Sequence, residues 1–299
     1  MTSPQKPAKK LERVGPHRAG FGESVFWSEA ERAVWWIDLH GRALLRTHED
    51  GTTWVFKTPG FPANNPRAVV PGRDGTLIVA LDDRLARFDP ATGVFSDIAI
   101  PLPVPDGHVL NDATVDARGR LIIGTLHASA PGDYRGRLLV VSPDGSVGVI
   151  AETLCIPNGL ACSPDGQHFY FSDSYRDVRT VWRAAYDLDS GAIATPEIFV
   201  PPQRFPGRPD GAAVDTEGGY WIASLETGLV LRFTTEGALD RQILLPAPMP
   251  SKPCFGGPAM DVLYITTAGP LSGIDDGQAG ALFSVPAGIP GLALPTCTL

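Results

Sequence analysis

Cysteine is scarce in this chain, and long apolar runs are missing from it. Four cysteines among 299 residues are too few for a disulfide scaffold, and no Cys-x-x-Cys pair occurs. The spacing between Cys155 and Cys162 matches no common zinc pattern. We therefore expect all four cysteines to be small buried apolar residues: Cys155, Cys162, Cys254 and Cys297. No apolar run approaches the roughly 18 residues of a transmembrane helix, which argues against a membrane partner.

Positive charge is also in the minority. The 25 lysines and arginines stand against 33 acidic residues, so the net charge is −8 at neutral pH. Such an acidic protein is a poor candidate for binding nucleic acid. Residues 1–10 are polar and basic, and no apolar segment of the kind that a secretory signal needs follows them. We expect them to be a mobile tail on a single cytoplasmic domain, residues 11–299, which is a monomer or a weak homo-oligomer.

What the sequence does contain is a repeat of short apolar segments separated by turns. The turns are rich in Asp and Gly, which favour hairpins because Gly tolerates positive φ and Asp bonds its own backbone. Units of about four such strands begin roughly every 44 to 52 residues. The second strand of each unit is predicted at residues 33–38, 76–80, 120–124, 167–172, 219–223 and 262–266. The units begin near Glu23, Arg67, Asn111, Asn158, Asp210 and Gly256.

This repeat predicts an all-β fold, a six-bladed β-propeller with four antiparallel strands in each blade. A parallel α/β fold would need helical crossovers, and the pattern contains only strand and turn signals. Residues 11–14 precede the first unit, and we expect them to supply the outer strand of the last blade and so close the ring. Trp27, Trp35, Trp36 and Trp221 lie in strand segments, where we expect them to pack between blades.

Polar residues stand where several innermost strands are predicted to begin. Glu23, Asn111, Asn158 and Asp210 each come directly before an apolar stretch. The innermost strands of a propeller line its central channel, so these residues would meet at one mouth. Asn-Gly and Asp-Gly are also ordinary turn dipeptides, which leaves a turn as the alternative. Carboxylate and amide oxygens suit one divalent cation: calcium, magnesium, manganese, iron or zinc.

Several motifs resemble those of the senescence-marker-protein-30/gluconolactonase family, and within it the bacterial xylonolactonase and arabinolactonase type. The resemblance runs from about residue 20 to residue 290, with the motifs in order. It is carried by Gly22-Glu23-Ser24, the segment NDATVDARGR at 111–120, Pro157-Asn158-Gly159, Arg208-Pro209-Asp210-Gly211 and the segment SKPCFGG at 251–257.

The resemblance implies a metal in the channel of a six-bladed propeller that hydrolyses a small lactone. It implies that Glu23, Asn158 and Asp210 bind the metal, that Asn111 reaches the substrate or a water on the metal, and that Asp210 doubles as general base. A lactone is a cyclic ester, so a metal would polarise its carbonyl and activate a water. No Gly-x-Ser-x-Gly motif appears, which favours direct attack by water.

One position departs from the family pattern. Sugar lactonases of this family often carry Arg two residues before the Asn of this motif, and here Val109 stands there. Because Val has no donor for a sugar hydroxyl, we expect weaker use of highly hydroxylated five- and six-carbon aldonolactones than the family pattern suggests. His108 and His127 are the candidates for supplying the missing contact; for His127 an exposed loop position without contact to substrate is the alternative.

Two other functions stay open on the sequence. One is a related metal-dependent esterase or phosphotriesterase, which would use the same metal on another ester. The other is a propeller that binds a ligand without catalysis, with the metal serving structure.

Overall fold

The computed structural model describes residues 10–60, 64–270 and 277–299, and all but Lys10 of the predicted N-terminal tail lies outside them. The described residues form 25 strands in six antiparallel sheets. Helix in these ranges is limited to two 3₁₀ turns, Arg73–Gly75 and Pro202–Arg204. No helix in the described part of the chain is long and apolar enough to cross a membrane.

Each sheet is one blade, and the strands follow one another outward from the channel. Blade one contains β2 (Gly22–Ser28), β3 (Ala33–Asp38), β4 (Ala43–His48) and β5 (Thr53–Lys57). Blade two contains β6 (Pro66–Pro71), β7 (Leu77–Leu81), β8 (Arg84–Asp89) and β9 (Val94–Ile98). Blade three contains β10 (His108–Val115), β11 (Leu121–His127), β12 (Gly136–Val141) and β13 (Val147–Leu154).

The second half of the ring repeats this order with one variation. Blade four contains β14 (Pro157–Cys162), β15 (His168–Asp173), β16 (Thr180–Asp187) and two short outer strands, β17 (Ala192–Ile193) and β18 (Glu197–Val200). Blade five contains β19 (Arg208–Val214), β20 (Tyr220–Leu225), β21 (Leu229–Phe233) and β22 (Leu239–Leu244). Blade six contains β23 (Pro250–Gly256), β24 (Val262–Thr267), β25 (Ala281–Pro286) and β1 (Glu12–Arg18).

The predicted six-bladed propeller is therefore confirmed, and so is its closure. The N-terminal strand β1 pairs with β25 as the outermost strand of blade six. The innermost strands contact one another in a complete circle: β2, β6, β10, β14, β19 and β23, which returns to β2. One predicted unit start is wrong, because β23 begins at Pro250 and ends at Gly256 instead of beginning there.

Large aromatic side chains fill the spaces between blades. Trp35, Trp36 and Trp221 are fully buried, and Trp27 is nearly so, as predicted. Trp221 of blade five meets Phe255 of blade six edge to face, with ring centroids 5.9 Å apart. Such contacts lock neighbouring blades by burying large apolar areas. The cysteines are free thiols; Cys155, Cys254 and Cys297 are buried as predicted, whereas Cys162 is only partly buried.

The C-terminal segment crosses the mouth of the channel where the innermost strands end. Leu292 N donates to Val214 O at 3.1 Å in blade five, and Cys297 N donates to Pro71 O at 2.7 Å in blade two. Blades two and five are opposite each other in the ring, so the segment spans its diameter. Above it lies an apolar cavity of about 280 Å³. The other mouth, where the innermost strands begin, holds the predicted site residues.

Candidate active site

A chain of hydrogen bonds links the predicted site residues of three neighbouring blades. Asn111 Nδ2 of blade three donates to Asn158 Oδ1 of blade four at 2.9 Å. Asn158 Nδ2 in turn donates to Asp210 Oδ1 of blade five at 2.8 Å. It also donates to Ser174 Oγ at 2.7 Å, which orients the amide from its other side. These side chains, far apart in sequence, meet at one mouth of the channel.

Glu23 of blade one completes the group from across the channel. The Glu23 charge raises the pKa of Asp210, second only to burial of that carboxyl, so the two groups lie close together. Burial and then the charge of Asp112 raise the pKa of Glu23 to about 7. Both shifts run upward because two acidic groups share one poorly hydrated space. The structure thus gathers Glu23, Asn111, Asn158 and Asp210 into one cluster.

Irregular backbone at the start of the innermost strands helps place these side chains. The pairing register shifts between Glu23 and Phe26. It shifts at equivalent places in the strands carrying the other three site residues, after Leu110, Asn158 and Pro209. Such bulges re-aim side chains next to functional sites. At Gly159 the bulge needs φ = +64°, and an added Cβ would lie 2.4 Å from the Tyr220 hydroxyl, so Gly is required there.

The cluster has the donor chemistry that a divalent cation prefers. Asp210 is buried, and its Oδ2 atom meets no hydrogen-bond donor among the described residues other than the neighbouring Glu23 carboxyl, which shares the same space. A buried carboxylate oxygen without a partner is costly unless something positive meets it. Two carboxylates and an amide oxygen are an all-oxygen set for a hard cation. The residues present therefore fit a divalent cation, although no group of three or more His, Cys, Asp or Glu side chains placed for a metal occurs in the described ranges.

Asn111 presents an acceptor to the mouth of the channel. Both hydrogens of its amide are engaged, by Asn158 Oδ1 at 2.9 Å and by Pro157 O at 3.0 Å. The Asn111 carbonyl oxygen is left to accept a hydrogen bond, and the residue is partly exposed. The side-chain oxygen of Asn111 can therefore accept a hydrogen bond from a hydroxyl group of a bound molecule.

His108 and His127 meet each other rather than the acidic cluster. Their rings pack edge to face, with centroids 5.1 Å apart. The His108 side chain is fully buried, with Nε2 4.0 Å from Asp133 Oδ1. His127 Nδ1 accepts hydrogen bonds from the backbone of Ser129 and Ala130, and His127 remains partly exposed. Their contact with substrate stays a prediction, as does the effect of Val109, which is partly exposed on the same strand.

Two charged residues of this region could not be assigned a role from the sequence. Lys252 Nζ contacts Asp112 Oδ1, and both side chains are almost completely buried. Asp112 directly follows Asn111, and Lys252 is a lone lysine within an apolar strand. A lysine in such a strand signals a buried partner, but nothing in the sequence identifies a carboxylate 140 residues away.

The chain is similar to proteins of known family. The SMP-30/gluconolactonase/LRE-like region matches residues 21–269. A pentonolactonase from Haloferax volcanii is 33% identical over 271 residues, which cover 90% of this chain and 88% of that protein. A 6-deoxy-6-sulfogluconolactonase from Pseudomonas putida is 32% identical over 282 residues, covering 92% and 94% of the two chains.

Among solved structures, a calcium-binding protein named regucalcin from Agrobacterium tumefaciens superposes with a TM-score of 0.85. It is 27% identical, and the match covers 96% of this chain and 97% of that one. The family match at residues 21–269 includes all four residues of the cluster.

Proposed function

This chain belongs to the SMP-30/gluconolactonase/LRE-like family, and we propose that it is a lactonase that hydrolyses the lactone of a small sugar acid with the help of one divalent cation. The observation that carries the proposal is the meeting of Glu23, Asn158 and Asp210 at one mouth of the channel. Relatives named as lactonases of sugar acids, which align along most of their length, support the reaction class.

Glu23, Asn158 and Asp210 would hold the cation through their side-chain oxygens. When bound, a divalent cation supplies Lewis-acid polarisation of the lactone carbonyl and eases ionisation of water. The regucalcin similar to this chain is described as calcium-binding, so calcium is the first cation to test. The all-oxygen donor set is compatible with that choice.

Asp210 would accept a proton from the attacking water. Its Oδ1 atom is held by Asn158, whereas its Oδ2 atom has no partner among the described residues other than the Glu23 carboxyl. A general base must lie within hydrogen-bond reach of the proton that it removes. After addition of water, Asp210 would return that proton to the ring oxygen as the ring C–O bond breaks, which leaves a free hydroxyl and a carboxylic acid. The acid then ionises to a carboxylate and releases one proton to the solvent.

The substrate is held by polar groups at the rim of the site. Asn111 offers its carbonyl oxygen to a sugar hydroxyl. Because Val109 adds no donor beside it, we propose weaker use of highly hydroxylated five- and six-carbon aldonolactones than the family pattern suggests. The relatives named pentonolactonase and 6-deoxy-6-sulfogluconolactonase make such lactones the first substrates to compare.

The test is an assay of a panel of lactones in weak buffer. A pH indicator measures hydrolysis through the protons that it releases. The panel contains five- and six-carbon sugar lactones, an unsubstituted γ-lactone, an open-chain ester and a phosphotriester, each assayed with calcium, magnesium, manganese, iron(II) or zinc. We expect ring esters to be hydrolysed faster than the open-chain ester. Faster hydrolysis of the phosphotriester would point to the related esterase, and cation binding without any turnover to a ligand-binding propeller.

A further inference from the structure

A buried lysine spans the channel just inside the candidate site. Lys252 lies on β23 of blade six, and its ammonium reaches β10 of blade three, where it contacts Asp112 Oδ1 and donates to Ala113 O at 3.1 Å. Only 8% of the Lys252 side chain and 2% of the Asp112 side chain are exposed. Blades three and six are opposite each other in the ring, so the ion pair bridges the whole channel.

The Asp112 carboxylate is also bound to the strand that carries Asn158. Its second oxygen, Oδ2, accepts a hydrogen bond from Leu160 N at 3.0 Å. Leu160 lies in the stretch of β14 where the register shifts after Asn158. The Lys252–Asp112 pair therefore fixes the irregular backbone on which the amide of Asn158 depends.

The stem of Lys252 packs against the strand that carries Asp210. A Cβ atom on Gly211 would lie 2.4 Å from Lys252 Cγ, so the lysine stem lies directly on the backbone of Gly211. Gly211 follows Asp210 immediately. One side chain thus touches the chain beside Asp210 and, through Asp112, the chain beside Asn111 and Asn158.

Stability alone is a weak explanation for this pair. A buried ion pair costs desolvation that its attraction only partly offsets, and apolar replacements are often neutral. Catalysis, in contrast, depends on side chains held within fractions of an ångström, and a displacement of about 1 Å can cost roughly a hundredfold in rate. The side-chain contacts of Lys252 with Asp112, Ala113 and Gly211 lead to backbone that carries site residues.

We propose that Lys252 is a positioning residue of the lactonase site, and that its ion pair with Asp112 holds the strand starts carrying Asn111, Asn158 and Asp210 in their working geometry. The inference rests on the proposed function. Because the pair is neutral overall, it does this without adding net charge beside Glu23 and Asp210.

The test compares Lys252→Met with Arg232→Met. Arg232 forms an equally buried ion pair with Asp215, 2.7 Å long, with side chains 6% and 0% exposed, and it also pairs with the more exposed Asp240 and Glu217. Asp215 comes directly after β19 ends, at the mouth away from the site, so this pair is a matched control. For each full-length protein we would measure calcium affinity by calorimetry, kcat and KM on the best lactone, and Tm.

We expect Lys252→Met to lower kcat/KM by about tenfold to a hundredfold, mainly through kcat, and to weaken calcium binding. Arg232→Met should lower Tm while kcat, KM and calcium affinity stay at wild-type values. Wild-type kinetics in a folded Lys252→Met protein would overturn the proposal. An inactive wild type would instead overturn the proposed function, which keeps the two failures distinct.

A double variant separates the positioning role of Lys252 from its neutralisation of the Asp112 charge. The same variant keeps the proposal testable if Lys252→Met alone does not fold. Asp112→Asn combined with Lys252→Met leaves no unpaired buried charge and keeps an acceptor for Leu160 N. We expect this protein to fold while its kcat stays impaired, because the bridge across the channel is gone. Recovery of wild-type kcat would show that Lys252 only neutralises Asp112, and would refute the positioning role.

Discussion

Asn158 Nδ2 donates a hydrogen bond to Asp210 Oδ1 at 2.8 Å, and this contact joins blades four and five at the mouth of the channel. It leaves Asp210 Oδ2 buried and without a partner among the described residues other than the Glu23 carboxyl. One oxygen of the carboxylate is thereby held in place while the other is available. The available oxygen is the one that the proposed cation would neutralise.

Asp210→Asn should therefore abolish tight binding of a divalent cation and lactone hydrolysis together. The substitution keeps the size of the side chain but removes a charge, and it places an amide in a site built for oxygen donors. Calorimetric titration with calcium measures the first effect and the lactone assay the second. Asp144→Asn, in an exposed turn, is the control and should change neither. Stoichiometric calcium binding by Asp210→Asn would contradict the assignment.

The raised pKa of Glu23 predicts how stability depends on pH when no cation is bound. The folded protein holds the proton of Glu23 up to about pH 7, whereas the unfolded chain releases it near the ordinary value of 4.5. Between these values the unfolded state binds fewer protons, so the free energy of unfolding falls as pH rises. The difference corresponds to a loss on the order of 3 kcal/mol.

Chemical denaturation of chelated protein between pH 4.5 and 7 measures this loss. Glu23→Gln cannot titrate and should lose less stability than wild type over the same range. Added calcium should restore stability at pH 7 in the wild type, because a ligand bound only by the folded state stabilises it. Parallel pH profiles for wild type and Glu23→Gln would show that the pKa of Glu23 is not raised.

The β-strands and their order were predictable because the sequence signals for turns and strands are local. Alternating turn and strand signals recur in each unit, and the predicted strand at residues 33–38 is β3 as observed. The predicted start of the sixth unit is wrong because β23 contains Pro250 and Pro253. Proline seldom lies within a strand, so this segment does not show a strand pattern. The innermost strand tolerates them because one of its edges faces the channel and needs no donor there.

Val109→Arg should increase the turnover of sugar lactones. An arginine at this partly exposed position would supply donors to substrate hydroxyls, and one charge-assisted hydrogen bond contributes roughly 1.5–3 kcal/mol. We therefore expect about a tenfold to a hundredfold gain in kcat/KM for six-carbon aldonolactones. The unsubstituted γ-lactone is the control substrate and should gain nothing. A wild type that already prefers six-carbon lactones, and that Val109→Arg only impairs, would refute this reading of the position.

Asn111→Ala should raise KM for hydroxylated lactones with less effect on cation binding. The variant removes the carbonyl oxygen proposed to accept a substrate hydroxyl, and one neutral hydrogen bond is worth about 0.5–1.5 kcal/mol. We expect KM to rise by about twofold to tenfold. Steady-state kinetics and a calcium titration on the same preparation test this. An unchanged KM alongside lost calcium binding would make Asn111 part of the cation site instead.

The candidate site was only partly readable from the sequence. Glu23, Asn158 and Asp210 stand at equivalent places in their units, so the repeat itself predicts that they meet. The bridge from Lys252 to Asp112 joins opposite blades, and no repeat relates its two ends. For His108 the sequence suggests a contact that the structure does not show. Its place next to the motif suggests a pocket residue, whereas its side chain is fully buried against His127.

The most direct test of the account is cation removal and return, followed by lactone hydrolysis and circular dichroism on the same sample. We predict that chelation abolishes hydrolysis while the β-sheet spectrum is kept, and that one equivalent of calcium or another effective divalent cation restores it. The Asp210→Asn variant should regain no lactone hydrolysis when the cation is returned. Hydrolysis that continues at the wild-type rate in fully chelated protein would show that the reaction does not depend on a cation.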